Sequence, residues 1–509
     1  MPRSSSLFSQ LSAQWTDKDK VAIETGAGKQ YRYRSVFAAT SRFANVLKAR
    51  GVKPGDRVAA QVEKSPEALF LFLACLRAGA AYLPLNTAYT EPELEYFLRD
   101  AEPSVFVCRP GMSAAAGLCE KAKVPTSLTL GTDEDGTLPA LAAWQPDVFE
   151  DVPRSAEDLA AVLYTSGTTG RSKGAMLSHG NLASNAQALV EGWRFTSNDV
   201  LLHALPIFHT HGLFVATNVV LMAGASMIFI PKFEPNETFR LLPRTTAMMG
   251  VPTFYVRLLD DARLTREATA HVRLFVSGSA PLLPDTHRGF LERTGHSILE
   301  RYGMTETGMN TSNPYEGDRV PGTVGLPLPG VEVRIANPET GEILGQEEIG
   351  MIEVRGPNVF TGYWRMPEKT KAEFRDDGFF ITGDLGKIDS RGYVHIVGRG
   401  KDLIISGGFN VYPKEVESEI DALPGVVESA VIGVPHPDFG EGVMAVVVSA
   451  KGSELKEKDV VEALKSRLAN YKLPKRVFFV DDLPRNTMGK VQKNLLRDAY
   501  GDLCGQSEP

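Results

Sequence analysis

Cysteine is scarce in these 509 residues: there are four, Cys75, Cys108, Cys119 and Cys504, with no CxxC pair and no companion histidines at zinc-finger intervals. That excludes a disulfide framework or a zinc finger as the organising device. Cys75 lies inside the apolar run LFLACLRAG, where a free thiol behaves as a small core hydrophobe, and none of the four is expected to be catalytic. An excess of positive charge is missing too: 55 Lys and Arg against 62 Asp and Glu leave a net charge of −7. A general nucleic-acid binder is not built this way, so any phosphate recognition has to be local. The opening MPRSSSLFSQLSAQW has neither the apolar stretch nor the cleavage site of a secretory signal, and a cytoplasmic location is expected. From Val200 to Pro231 there is no Asp, Glu, Lys or Arg, yet Pro206, His209, His211, Asn218 and Gly224 interrupt any clean span of about 20 residues. The stretch predicts a buried helix followed by a buried strand, with no membrane span.

What is present is an ordinary globular composition, 43% hydrophobic and 23% charged, on a chain too long for a single small binding module. Helical and strand patterns alternate. Arg34 to Arg50 and Pro66 to Gly79 read as helices, Arg57 to Val62 and Ala81 to Pro84 as strands, separated by the turn GVKPGD. This predicts an α/β fold: a large N-terminal domain, residues 1–400, of layered sheets covered by helices. Within it, from about residue 320, short segments such as VEVRI, GMIEV and GYVHI between Gly- and Pro-rich turns predict a small β subdomain over 320–400. Residues 401–509 are expected to form a small mobile α+β domain. Its elements are helix Pro413 to Leu423, strands Val427 to Val434 and Val443 to Val448, helix Lys458 to Asn470 and strand Arg476 to Val480.

The sharpest local signal is YTSGTTGRSKG, Tyr164 to Gly174, directly after the apolar run LAAVL. Glycines and hydroxyls packed this closely behind a strand turn N–H groups and side-chain oxygens toward a polyphosphate, and Lys173 adds a cation. It is not a Walker A loop, because Lys173 follows Gly170 by three residues and precedes Gly174.

Further segments follow in a recognisable order: PIFHTHG (206–212), SGSAPL (277–282), RYGMTETG (301–308), TGDLG (382–386), GRGKDLIISGGFNVYP (398–413) and PRNTMGK (484–490). With the glycine-rich loop they resemble the acyl-CoA synthetases of the adenylate-forming, AMP-binding superfamily over nearly the whole chain. The resemblance implies two half-reactions: a carboxylate attacks the α-phosphate of ATP to give an acyl-adenylate and pyrophosphate, and coenzyme A then displaces AMP. Carried over position by position, it implies that Thr165, Ser166, Gly167, Thr168, Thr169, Gly170 and Lys173 hold the phosphates. Thr168 and Glu306 would bind Mg²⁺, a hard cation suited to oxygen donors. Gly278, Ser279, Ala280, Arg301, Tyr302, Gly303, Met304 and Thr305 would surround the nucleotide, with Tyr302 stacked on adenine. Asp384 and Arg399 would hold the ribose. Lys490 would bridge carboxylate and α-phosphate as the catalytic cation, with Glu306 and His209 as the other catalytic residues. Lys401 would be the hinge of the C-terminal domain. Ser406, Gly407 and Gly408 would line the pantetheine path, and Lys472, Lys475 and Arg476 would meet the nucleotide 3′-phosphate of coenzyme A. The resemblance also implies that Lys490 is open to reversible acetylation by a lysine acetyltransferase and deacetylase.

The acid is read from the positions that line the acyl pocket in this superfamily: His209, Thr210, His211, Arg301, Gly303 and Met309. Gly303 is expected to remove a side chain from the pocket floor. Arg301 is the unusual residue. A buried guanidinium without a partner costs several kcal/mol, and a second carboxylate on the substrate would supply one in a two-pronged pair. Together with FHTHGL, the run from Glu300 to Gly325 is similar to malonyl-CoA synthetases, which points to malonate. Methylmalonate is expected to be accepted, since one methyl discriminates by only about 1–3 kcal/mol. The alternative is a ligase for a medium-chain or aryl monocarboxylate, with Arg301 paired to Glu300 or another internal acid.

Overall fold

The computed structural model describes residues 5–165, 172–406, 409–436, 440–486 and 489–501. The chain divides into two compact units: 1–333 with 354–380, and 334–353 with 381–509.

The first unit is built on two sheets. The larger has nine strands, with Leu299–Met304, Leu274–Ser277, Ala247–Gly250, Val200–His203, Ser226–Phe229 and Val21–Thr25 adjacent in that order and parallel. Strands such as AMMG and LFVS are buried at every position because both faces are covered. The second sheet has seven strands, in the order Gly362–Tyr363, Lys173–Ser178, Leu159–Thr165, Ala81–Pro84, Arg57–Gln61, Val105–Cys108 and Thr126–Thr129. Helix Pro66–Arg77, buried at every position, starts with Ser65 accepting from the Ala68 N–H and a proline in the first turn.

The uncharged stretch resolves as expected into a buried helix and then a buried strand. Strand Val200–His203 leads to a π-helical segment, His211–Thr217, running into helix Asn218–Met222, and strand Ser226–Phe229 follows. Among the described residues no helix is long and apolar enough to cross a membrane.

In the second unit, Gly440–Ser449 is the central strand of a five-stranded sheet. It pairs antiparallel with Val426–His436 and parallel with Arg476–Val480. Apolar clusters cover both faces, one around Ile404, Val416, Ile420 and Val431, the other around Ile432, Val446, Leu483 and Leu496. A four-stranded sheet, Glu332–Ala336, Gly350–Arg355, Phe380–Ile388 and Val394–Arg399, lies almost wholly in this unit. The helix expected to reach Asn470 stops at Lys465, because its buried stripe ends at Leu464. A helix not anticipated, Lys493–Tyr500, closes the fold against strand Val426–His436.

Candidate active site

In the first unit some candidate residues follow the carboxyl ends of parallel strands, the usual ligand position in open α/β sheets: Gly278 after Leu274–Ser277 and His209 after Val200–His203. Arg301 stands on the strand Leu299–Met304 and is 4% exposed. Its Nε and Nη2 have no hydrogen-bond partner, and it forms no ion pair among the described residues. Glu300, the neighbouring acid, alternates to the other side of the strand, where its Oε2 accepts from the Gly322 N–H. Burial pulls the Arg301 pKa down to about 9, with the Tyr255 phenol opposing.

Gly278, one residue past the strand Leu274–Ser277, explains how the guanidinium is seated. A Cβ at this position would lie 2.4 Å from the Arg301 Cζ, so the group packs directly on the glycine backbone. The next residue, Ser279, adopts φ 72°, and its Oγ is 3.2 Å from His211 Nδ1. His211 Nε2 and Ser277 Oγ are also buried without partners. Unsatisfied polar atoms are rare in a folded interior, and four of the twelve among the described residues belong to Arg301, His211 and Ser277. Burial, and next the Arg301 charge, lower the pKa of His209 to about 4 and that of His211 well below its ordinary value. Both rings are therefore neutral at neutral pH and offer hydrogen bonds rather than charge.

Thr210 and Thr305 meet at 3.5 Å and, with Leu177, Asn185, Phe214 and Gly308, line a small pocket. Met309 is buried beside it, its N–H and carbonyl both bound by the Asn185 amide. At Gly303 a Cβ would lie 2.0 Å from the Gly308 carbonyl oxygen and 2.6 Å from Met309 Cε, so the glycine permits the irregular hairpin Leu299–Ser312 to close. Tyr302 is buried, while Ser279, Ala280, Met304 and Thr305 are half-buried.

The phosphate loop residues Ser166, Gly167, Thr168, Thr169 and Gly170 lie outside the described residues, as do Gly407 and Gly408. Their flanks are described. Lys173 is 3.2 Å from Glu373 and 4.2 Å over the Tyr363 ring. Glu306 is buried, and its Oε1 accepts from Thr165 Oγ1 at 3.3 Å and the Tyr363 hydroxyl at 3.1 Å. Tyr363 and Glu373 were not singled out from the sequence. They arrive by long-range pairing, Tyr363 opposite Ala175, which lays the segment 360–373 beside the strand carrying Lys173. A locally readable signal for them is limited to the Gly362-Tyr363 turn.

In the second unit, Asp384 and Arg399 are register partners on adjacent strands and form an ion pair of 2.8 Å. Gly383, at φ 74°, turns the chain ahead of the carboxylate. Lys401 is exposed on a short 3₁₀ turn. The Lys490 backbone is bound on both sides by Asn486, its N–H to the side chain at 3.0 Å and its carbonyl to the N–H at 2.9 Å. Lys490 is exposed, and yet desolvation of its ammonium, with the cations Arg399 and Lys401, outweighs Asp384 and Asp402 and pulls its pKa down to about 8. Ser406 is buried. Of the basic cluster, Lys472 is paired with Glu415 at 2.5 Å and Arg476 with Glu457 at 3.2 Å.

Comparison with known proteins adds an independent line. A family model described as AMP-binding enzyme matches residues 11–364, and one described as AMP-binding enzyme C-terminal domain matches 415–490. The crystal structure of ATP-bound MatB from Rhodopseudomonas palustris is 65% identical with a TM-score of 0.96, the match covering 98% of this chain and 100% of that one. A feruloyl-CoA synthase from Amycolatopsis is 37% identical, covering 93% of this chain and 95% of the relative. The mitochondrial malonate–CoA ligase ACSF3 of Mus musculus is 36% identical, covering 95% and 89%.

Proposed function

Because the chain belongs to the AMP-binding enzyme family, we propose that it is an ATP-dependent malonate:CoA ligase that also takes methylmalonate. The observation that carries the choice of acid is Arg301, buried, unpartnered at Nε and Nη2 and seated on Gly278 beside neutral His211. Relatives at similar identity act on unlike acids by name, feruloyl and malonate among them, so the pocket has to decide. A carboxylate at the far end of the substrate gives the guanidinium the two-pronged partner it lacks, and a monocarboxylate leaves it buried and unpaired.

In the first half-reaction one malonate carboxylate oxygen attacks the α-phosphorus of ATP. The bond to the bridging β-phosphate oxygen breaks, and pyrophosphate leaves. Charge builds where two anions meet, and Lys490 is the cation proposed to stabilise it. Lys173 faces the β- and γ-phosphates, and Asp384, oriented by Arg399, accepts from the ribose hydroxyls. Glu306 and Thr168 would hold Mg²⁺: a buried carboxylate whose Oε1 faces the hydroxyls of Thr165 and Tyr363 fits a hard cation, which when bound neutralises phosphate charge. In the second half-reaction the coenzyme A sulfur attacks the acyl carbon, the carbon–oxygen bond to AMP breaks, and the thiol proton is released. The pantetheine path past Ser406, Gly407 and Gly408, the 3′-phosphate contacts of Lys472, Lys475 and Arg476, and the hinge at Lys401 between domains 1–400 and 401–509 belong to the same proposal.

Pyrophosphate release with malonate, methylmalonate, acetate, octanoate and benzoate tests it. Malonate is expected to have the highest kcat/KM, with methylmalonate next. Octanoate or benzoate outrunning malonate would replace the diacid by a monocarboxylate.

A further inference from the structure

Glu373 places a carboxylate on the lysine that the reaction needs for phosphate. Its Oε1 is 3.2 Å from Lys173 Nζ, its Oε2 accepts from the Tyr363 hydroxyl at 2.6 Å, and Lys369 one turn earlier pairs with it at 2.8 Å. Burial pushes the Glu373 carboxyl up, but Lys369, Tyr363 and Lys173 outweigh it and hold the group below its ordinary range, so it is ionised at neutral pH. Lys173 is itself largely buried and lies against the Tyr363 ring, which leaves its ammonium few directions to turn. A bound triphosphate and an ionised Glu373 would compete for the same cation, and like charges this close repel.

We propose that Glu373 is a tethered competitor of the polyphosphate: it neutralises Lys173 when no nucleotide is bound, is displaced by the β- and γ-phosphates of ATP, and returns to favour pyrophosphate release. The proposal rests on the reading that Lys173 faces those phosphates. Lys369 and Tyr363 make the exchange inexpensive, because they keep partners on the carboxylate after Lys173 has left it. The cation is thereby never left buried and unpaired, in contrast to Arg301, whose partner arrives only with substrate.

The test is a double-mutant cycle on the full chain, with Glu373→Gln, Lys173→Met and the pair, reading the dissociation constants of ATP without malonate and of pyrophosphate. Glu373→Gln is expected to tighten both three- to ten-fold, and to change neither once Lys173 is Met. Weaker ATP binding in Glu373→Gln would overturn the proposal, since it would make Glu373 part of the binding machinery. Equal tightening in the Lys173→Met background would overturn it too, by showing a field effect that does not pass through Lys173. If Lys173→Met alone leaves ATP binding unchanged, the assignment of Lys173 to the phosphates fails, and the competitor fails with it. Glu373→Asp, which keeps the charge on a shorter arm, is expected to give a smaller tightening than Gln and serves if the Gln variant does not fold.

Discussion

In the proposed acyl site Arg301 acts through what surrounds it. Removing a guanidinium from water without a carboxylate is costly, and Gly278 is the residue that makes the seat possible by having no side chain. Gly278→Ala puts a methyl group where Cζ stands, and a long side chain yields more easily than backbone. The variant is therefore expected to keep its melting temperature within a few degrees while its KM for malonate rises about ten-fold or more, measured by steady-state kinetics and thermal unfolding. Gly303→Ala is expected to do the reverse. Its methyl group meets the Gly308 carbonyl, which cannot swing aside, so stability falls by roughly 2–4 kcal/mol in denaturant unfolding. The two glycines also mark what the sequence discloses at this scale. Arg301 stood out because a charged side chain in an acyl pocket needs a reason. The close approach of Gly303 to the Gly308 carbonyl is not legible there, because a contact five positions on, in an irregular hairpin, leaves no mark in the local pattern.

Among the elements, those defined by short-range periodicity were legible. Helix Pro66–Arg77 and strand Ala81–Pro84 lie where apolar runs and turn residues place them. Elements that exist through distant partners were not: Tyr363 and Glu373 reach the phosphate side only because Gly362–Tyr363 adds to the edge of Lys173–Ser178. The helix Pro413–Asp421 ends on a strained carboxyl. Burial raises Asp421 to about 6 from an ordinary 3.8, with Glu417 and Glu428 adding to it and Lys414 and Ser429 opposing. A raised carboxyl favours the protonated form in the fold, so its charge costs stability above pH 6, and the cost disappears as pH falls below 3.8. Asp421→Asn, which keeps an acceptor for Ser429, is expected to stabilise the protein at pH 8 by roughly 1–3 kcal/mol. Melting curves at pH 8 and pH 4 check this, with the gain absent at pH 4.

At the scale of the whole molecule, the proposed reaction assigns roles to residues of both compact units: Arg301, His209, Glu306 and Lys173 in the first, Asp384, Arg399 and Lys490 in the second. The motif order along the chain makes these assignments readable in outline, since each segment carries its own chemistry. With the Lys490 pKa at about 8 and the cationic form required, adenylation is expected to fall as pH rises through about 8. Lys490→Arg, which stays charged, is expected to lower the rate and to abolish that alkaline limb in a pH profile of malonate-dependent pyrophosphate release.

Arg301 is proposed to recognise the second acid group of the substrate. This is tested most directly by the kcat/KM ratio of malonate to its monomethyl ester, measured on the unaltered enzyme and on Arg301→Ala. The ester blocks one carboxylate and leaves the other free to be adenylated. The unaltered enzyme is expected to prefer malonate by about 100-fold, the worth of one buried charged pair of roughly 3 kcal/mol, and Arg301→Ala to lose nearly all of that preference. A preference of the same size in both enzymes would remove Arg301 from recognition of the diacid.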